Sequence, residues 1–214
     1  MGREKRDSVE IMMRLIRFEI TAEPLPEWVK EAVDEDILKR LYRLSKAHDV
    51  AHIVGSALKE NGLLTDNKIS ENYRKQILTA VYRYEQLSFE LAEIKRALHD
   101  AKIPFIALKG ATLRQYYLKP YIRTSSDVDI LIKKEDLVRA EKELINALSY
   151  EHMTKSAHDI SLKTPSGMHV ELHFDLIEDS VNVNGKADKP LKKVWNDAVL
   201  FKSSEYAMTN ELFY

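Results

Sequence analysis

Residues 103–132 read IPFIALKGATLRQYYLKPYIRTSSDVDILI, and two short runs in this stretch predict strands. The first, IPFIAL at 103–108, is apolar with a proline near its start, which indicates a buried strand. The second, DVDILI at 127–132, alternates polar and apolar residues with a period of two. Successive side chains of a strand point to opposite faces, so we expect Asp127 and Asp129 to share one face while Val128, Ile130 and Ile132 enter a core.

The sequence after residue 132 continues the same mixture of strands and helices. Apolar residues at 137, 140, 144 and 148 lie on one face of a predicted helix, and MHVELHF at 168–174 alternates again as a strand. The polar stretch EDSVNVNGKADKP at 178–190 is typical of an exposed loop. The order strand, helix, strand, helix, strands predicts an α+β domain with a mixed sheet.

Residues 1–100 have the apolar spacing of helices. The segment 37–58 predicts two successive helices, and Asn61-Gly62 supplies a stop. Apolar residues between 77 and 98 recur in steps of three and four, which predicts one long helix. That seam could form a homo-oligomer as a coiled coil, but packing on its own domain is the favoured interpretation. We therefore expect a helical region at 1–100, a mixed-sheet domain at 101–205 and a tail at 206–214.

Composition limits the function classes. The 214 residues include no cysteine, which excludes disulfides, thiolate metal sites and cysteine nucleophiles. The net charge of −1 disfavours a long polynucleotide as partner, because there is no general basic field to hold phosphates. No stretch resembles a signal peptide or a membrane span, so we expect a cytoplasmic protein that does not bind membranes.

The two aspartates need a positive partner. Carboxylates held side by side repel each other, and a divalent cation such as Mg²⁺ or Mn²⁺, bound by both, would offset that repulsion. On the strand at 168–174, Glu171 lies on the polar face and could complete a three-carboxylate cluster. His169 and His173 flank Glu171 on that face, and we interpret them as structural hydrogen-bond partners rather than as ligands or acid–base groups.

A Lys-Gly step follows the first strand and precedes a short helix. The absence of a side chain at Gly110 would let backbone N–H groups approach a phosphate at the start of that helix. Lys109 and Arg123 carry positive charges that would neutralise such a phosphate. Each of these signals is weak alone, and their order along the chain makes the combination specific.

That combination resembles the DNA polymerase β-type nucleotidyltransferase superfamily, and within it the uncharacterised bacterial nucleotidyltransferases called NTP_transf_5. The similar features are LYRLSKAHDVAHIV, IPFIALKGATL, IRTSSDVDILI with an arginine four residues before the first aspartate, LSYEH and HVELHFDL. The resemblance implies a polymerase β-like domain that transfers a nucleoside monophosphate from a nucleoside triphosphate to a hydroxyl acceptor, with release of pyrophosphate. It implies catalytic metal ligands at Asp127, Asp129 and Glu171 and nucleotide-binding residues at Lys109, Gly110, Thr112 and Arg123.

Two departures from the superfamily pattern keep other functions open. Ala111 follows Gly110 where relatives have glycine or serine, so the phosphate-binding hydroxyl would have to come from Thr112. The chain also ends at Tyr214, where relatives continue with more helices, so the tail could begin a missing helical region. The alternatives are a nucleotide-binding or regulatory module with weak or no catalysis, and a helical interaction protein. These motifs specify neither the base nor the acceptor.

Overall fold

A computed structural model describes residues 2–176 and 194–209. The described part begins with helices and continues into a mixed seven-stranded sheet, which confirms the predicted α+β class with an N-terminal helical region. The α-helices of the described residues are α1 (Gly2–Thr21), α2 (Glu27–Ala32), α3 (Glu35–Ala47), α4 (Ala51–Glu60), α5 (Lys68–Asp100), α6 (Lys109–Leu113), α7 (Leu137–Leu148) and α8 (Val194–Asp197). None of them is both long enough and apolar enough to cross a membrane.

The described strands lie in the second half of the chain. Their bounds are β1 (Phe105–Ala107), β2 (Asp127–Ile132), β3 (Glu151–Lys155), β4 (Asp159–Lys163), β5 (His169–His173), β6 (Val199–Lys202) and β7 (Glu205–Ala207). Their order across the sheet is β3-β4-β5-β2-β1-β7-β6. The central strand β2 pairs with β1 in antiparallel and with β5 in parallel orientation.

The chain forms two compact units. The first contains Met1–Glu85 and Arg114–Thr124, and the second contains Gln86–Leu113 and Ser125–Tyr214. The long helix α5 is therefore shared, with Lys68–Glu85 in the first unit and the remainder in the second.

The first unit has a helical core of its own. Buried apolar side chains from α1, α2, α3, α4 and the start of α5 form one cluster, which includes Leu15, Val29, Leu41, Leu58 and Tyr73. Local signals fix the helix ends. The Asp34 side chain accepts a hydrogen bond from the Ile37 amide over 2.8 Å and so caps α3, and Asn61 and Gly62 follow the end of α4 as the sequence predicts.

The second unit buries one face of the sheet under two helices. Val128 and Ile130 of β2 lie in one apolar cluster with residues of α5 and α7, among them Ile94, Leu98 and Leu144. Because β2 has a period of two, this burial leaves Asp127 and Asp129 on the opposite face.

Much of the apolar face predicted between residues 77 and 98 of the long helix packs against other residues of the same chain. Leu87, Ile94 and Leu98 all belong to the apolar cluster of the second unit. Packing of these residues within the chain is the interpretation that the sequence favoured over a coiled-coil dimer.

The three strands predicted from the sequence correspond to β1, β2 and β5, and four described strands, β3, β4, β6 and β7, were not assigned. The short strands β6 and β7 lie near the chain end, and β7 pairs in parallel with β1 through Phe105 and Glu205. Residues 206 and 207, which the sequence pattern places in the tail, belong to the sheet. The loop predicted at 178–190 lies outside the described residues.

Candidate metal centre

Strand pairing places two of the predicted acidic residues side by side. In the parallel pair of β2 and β5, Asp129 is the register partner of Glu171. Paired residues of adjacent strands project from the same face, so both carboxylates lie opposite the apolar core formed by Val128, Ile130 and their neighbours.

His173 joins the two carboxylates. Its Nε2 atom lies 3.1 Å from Oδ1 of Asp129 and 3.2 Å from Oε2 of Glu171. One ligand atom from each of the three residues lies within 4.8 Å of the other two. The side chains are sheltered, with 11% of Asp129, 13% of His173 and 31% of Glu171 exposed. We call Asp129, Glu171 and His173 the carboxylate–histidine cluster.

Asp127 lies on the same face but outside this cluster. It is two residues earlier on β2, and its register partner on β5 is His169. Among the described residues, the group able to hold a metal contains Asp129, Glu171 and His173 and does not contain Asp127. The structure therefore brings together two of the three acidic residues expected from the sequence and adds a histidine.

The charges of the cluster shift two pKa values. Partial burial raises the pKa of Glu171; the charge of His173 opposes that shift, and the negative charges of Asp129, Asp159 and Asp127 add to it. Burial of the His173 ring disfavours its charged form, but the hydrogen bond to Asp129 and the charges of Asp129, Glu171 and Asp159 outweigh burial and raise the pKa of His173. The carboxylates of this face thus favour the positively charged form of His173, which in turn favours the charged form of Glu171.

Strand β4 and the residue before it supply two further neighbours of His173. Asp159 is its register partner, and the carboxylate of Asp159 accepts a hydrogen bond from the Ser156 hydroxyl over 2.6 Å. The ring of His158 lies nearly parallel to that of His173, with a centroid separation of 6.5 Å and an interplanar angle of 16°. Nε2 of His158 lies 3.4 Å from Asp159 and belongs to a separate pair.

The expected nucleotide-binding residues lie on two segments. Gly110 is buried in α6, and a Cβ atom at this position would lie 3.0 Å from Oγ of Ser125, two residues before β2. The Leu108 amide donates to the carbonyl of Asp129 over 3.0 Å, so the backbone just before α6 is tied to the acidic strand. Lys109 and Thr112 belong to α6, whereas Arg123 follows the 3₁₀ turn Pro120–Ile122, a segment of the first unit.

His173 is a hydrogen-bond partner of Asp129, as the sequence predicts, and its Nε2 atom also lies beside Glu171. The pattern HVELH places His169, Glu171 and His173 on one face, and this signal was available in the sequence. The register between β2 and β5 was not available, and it is the register that selects His173 rather than Asp127 as the third group beside Asp129 and Glu171.

Comparison with known proteins adds the family. The model of the family NTP_transf_5, described as uncharacterised nucleotidyltransferases, matches residues 34–214. No curated protein and no solved structure gives a significant match. The family match covers every described helix from α3 onward and every strand of the described sheet, and it leaves out α1 and α2. This chain therefore belongs to the NTP_transf_5 family of nucleotidyltransferases.

Proposed function

We propose that the protein transfers a nucleoside monophosphate from a nucleoside triphosphate to a hydroxyl acceptor in a reaction that depends on Mg²⁺. The oxygen of the acceptor forms a bond to the α-phosphorus, the bond from that phosphorus to the bridging oxygen breaks, and pyrophosphate leaves. The hydroxyl proton passes to solvent. Family membership supports nucleotidyl transfer in general, and the arrangement of β2 and β5 supports the dependence on a cation.

The observation that carries the proposal is the pairing of Asp129 with Glu171 on one sheltered face. On this sheet face Asp159 and Asp127 add to the negative charge of the two adjacent carboxylates, and His173 offsets part of it. A bound cation would offset the remaining repulsion. The same face would then attract the cation that accompanies a triphosphate.

The donor atoms fit a divalent cation. Carboxylate oxygens are the ligands that Mg²⁺ and Mn²⁺ prefer, and the ligand atoms of the carboxylate–histidine cluster converge within 4.8 Å. Asp129 and Glu171 would hold the ion, and Asp127 adds negative charge on the same strand face. When bound, such an ion supplies charge compensation for the triphosphate and for the developing charge of the transfer.

The residues around α6 would hold the nucleotide. Gly110 packs closely against Ser125 near the start of α6, and the backbone of this helix would contact the phosphates. Thr112 carries a hydroxyl two residues further along. Lys109 would contribute positive charge to the phosphates. The role of these three residues rests on their agreement with the family motif.

The proposal can be tested by transfer of label from α-³²P-labelled triphosphates. The protein is incubated with Mg²⁺, each of the four ribonucleoside triphosphates in turn and a cell extract that supplies acceptors, and pyrophosphate is measured in parallel. We expect one triphosphate to give labelled product and an equal amount of pyrophosphate. The Asp129→Asn variant should lose this activity. The control is Glu151→Gln, which changes an exposed residue of β3 and should keep the activity.

Two results would count against the proposal. Equal labelling by the wild type and the Asp129→Asn variant would mean that the acidic face is not the site of transfer. Binding of a triphosphate without labelling or pyrophosphate would instead indicate a nucleotide-binding module.

A further inference from the structure

We propose that His173 is a ligand of the metal ion and that it makes the site bind Mn²⁺ and similar transition-metal ions more tightly than Mg²⁺. The inference rests on the proposed use of this site for a cation and deepens it, because it names a third ligand and the class of ion that the ligand selects.

The geometry singles out one nitrogen atom. Nε2 of His173 points at both carboxylates, at 3.1 Å from Asp129 and 3.2 Å from Glu171. A metal ion bound by these two oxygens would therefore have this nitrogen within coordinating range, since the three ligand atoms lie within 4.8 Å of one another. The strand register holds the arrangement, because Asp129 pairs with Glu171 and His173 lies two residues further along β5.

The groups beside His173 have other partners and do not belong to the carboxylate–histidine cluster. Its ring is 13% exposed, and the parallel ring of His158 lies beside it. His158 is engaged with Asp159 at 3.4 Å, and the Asp159 carboxylate also accepts from Ser156. His158 is therefore a neighbour of the cluster rather than a member of it, which makes it a matched control.

The ligand chemistry gives the selectivity. Mg²⁺ binds hard oxygen ligands and keeps much of its hydration, whereas first-row transition-metal ions also accept imidazole nitrogen. A set of two carboxylates and one imidazole is consequently better suited to the transition-metal ions than a set of three carboxylates. Replacing His173 with glutamine keeps a polar side chain of similar reach but removes the imidazole nitrogen.

The experiment is electron paramagnetic resonance of Mn²⁺ added to the full-length protein. Free Mn²⁺ is counted in a titration, Mg²⁺ is added in competition, and modulation of the electron spin echo detects ¹⁴N nuclei bound to Mn²⁺. The wild type and the His158→Gln variant should show ¹⁴N coupling from a coordinated imidazole. The His173→Gln variant should lose that coupling, and its preference for Mn²⁺ over Mg²⁺ should fall by about tenfold or more.

The outcomes separate this inference from the proposed function. Mn²⁺ that binds in an Asp129-dependent manner without ¹⁴N coupling, or with an unchanged preference in His173→Gln, would overturn the role of His173 and leave the cation site standing. Failure of the wild type to bind Mn²⁺ would overturn both. Nitrogen coordination without nucleotidyl transfer would support the ligand and reject the proposed reaction.

Discussion

His173 makes the two aspartates of β2 unequal. Asp129 lies 3.1 Å from its Nε2 atom, whereas Asp127 lies two residues earlier and outside the carboxylate–histidine cluster. Both aspartates add negative charge near Glu171. Removing either charge relieves repulsion, but only removal of the Asp129 charge also weakens the contact with His173.

The first prediction compares neutral variants of these aspartates without added metal. We expect Asp127→Asn to leave the free energy of unfolding unchanged or slightly higher, because repulsion falls. We expect Asp129→Asn to lower it by about 1–2 kcal/mol, because a charged hydrogen bond to a sheltered histidine is weakened. Urea denaturation of both variants in the presence of a chelator measures the difference. Equal effects of the two substitutions would contradict this assignment.

The second prediction concerns pH. Burial of the His173 ring opposes protonation, but the hydrogen bond to Asp129 and the surrounding negative charges raise the pKa of His173 in the folded protein. A raised pKa stabilises the folded state at pH values below the ordinary histidine pKa of about 6.5, and this stabilisation is lost as the pH rises through the folded-state pKa. We therefore expect the wild type to have a larger free energy of unfolding than His173→Gln. This difference should be greater at about pH 5.5 than at about pH 8.5.

Urea denaturation at the two pH values, with a chelator present, checks the pH prediction. A control is His48→Gln, since His48 is an exposed histidine just after α3. A gap between wild type and His173→Gln that widens at high pH would show that the sign is wrong.

At the scale of elements, the sequence predicted where β2 lies along the chain but not which strands pair with it in the sheet. The alternation of DVDILI predicted β2 with its observed bounds, and the apolar spacing after residue 136 predicted α7. The parallel pairing of β2 with β5, which assembles the cluster, depends on contacts between segments about forty residues apart and leaves no local signal. Strands β6 and β7 have only four and three residues, too few for a period of two to be recognised.

The third prediction tests the close approach of α6 to the start of β2. A Cβ atom at Gly110 would lie 3.0 Å from Oγ of Ser125 but 3.5 Å from its Cβ, which is an ordinary contact. We therefore expect Gly110→Ala to be more favourable in a Ser125→Ala background than in the wild type, by about 0.5–1 kcal/mol of coupling. Urea denaturation of the two single variants and the double variant measures this coupling. Additive effects would show that the hydroxyl is not the obstacle.

At the scale of the whole molecule, the long helix α5 belongs to both compact units. The sequence placed the boundary at residue 100, where the helical pattern ends. The structure assigns Gln86–Asp100 to the unit of the sheet, because Leu87, Ile94 and Leu98 pack in its apolar core. Helical periodicity reveals that a helix has an apolar face, but it does not reveal which core that face enters.

The fourth prediction compares two fragments that start at different residues. A fragment of residues 101–214 would lose the α5 side chains that cover the sheet and the buried hydrogen bond from Tyr150 to Glu90 at 2.8 Å. We expect it to unfold without a cooperative transition, whereas a fragment of residues 86–214 should retain one. Both contain the segment 114–124, so its effect cancels. Thermal denaturation monitored by circular dichroism measures the cooperativity of each fragment. Equal cooperativity of the two fragments would contradict the claim that the last part of α5 completes the core of the sheet unit.

The central claim is that the acidic face of β2 and β5 binds a triphosphate together with a divalent cation. The most direct measurement is the melting temperature of the wild type, Asp129→Asn, Glu171→Gln and the control Glu151→Gln, each with and without Mg²⁺ and each of the four triphosphates. At a ligand concentration one hundred times the Kd, binding stabilises the native state by about 2.7 kcal/mol. We predict an Mg²⁺-dependent rise with at least one triphosphate in the wild type and the control, and none in the other two. Equal rises in all four proteins, or no rise in the wild type, would contradict the claim.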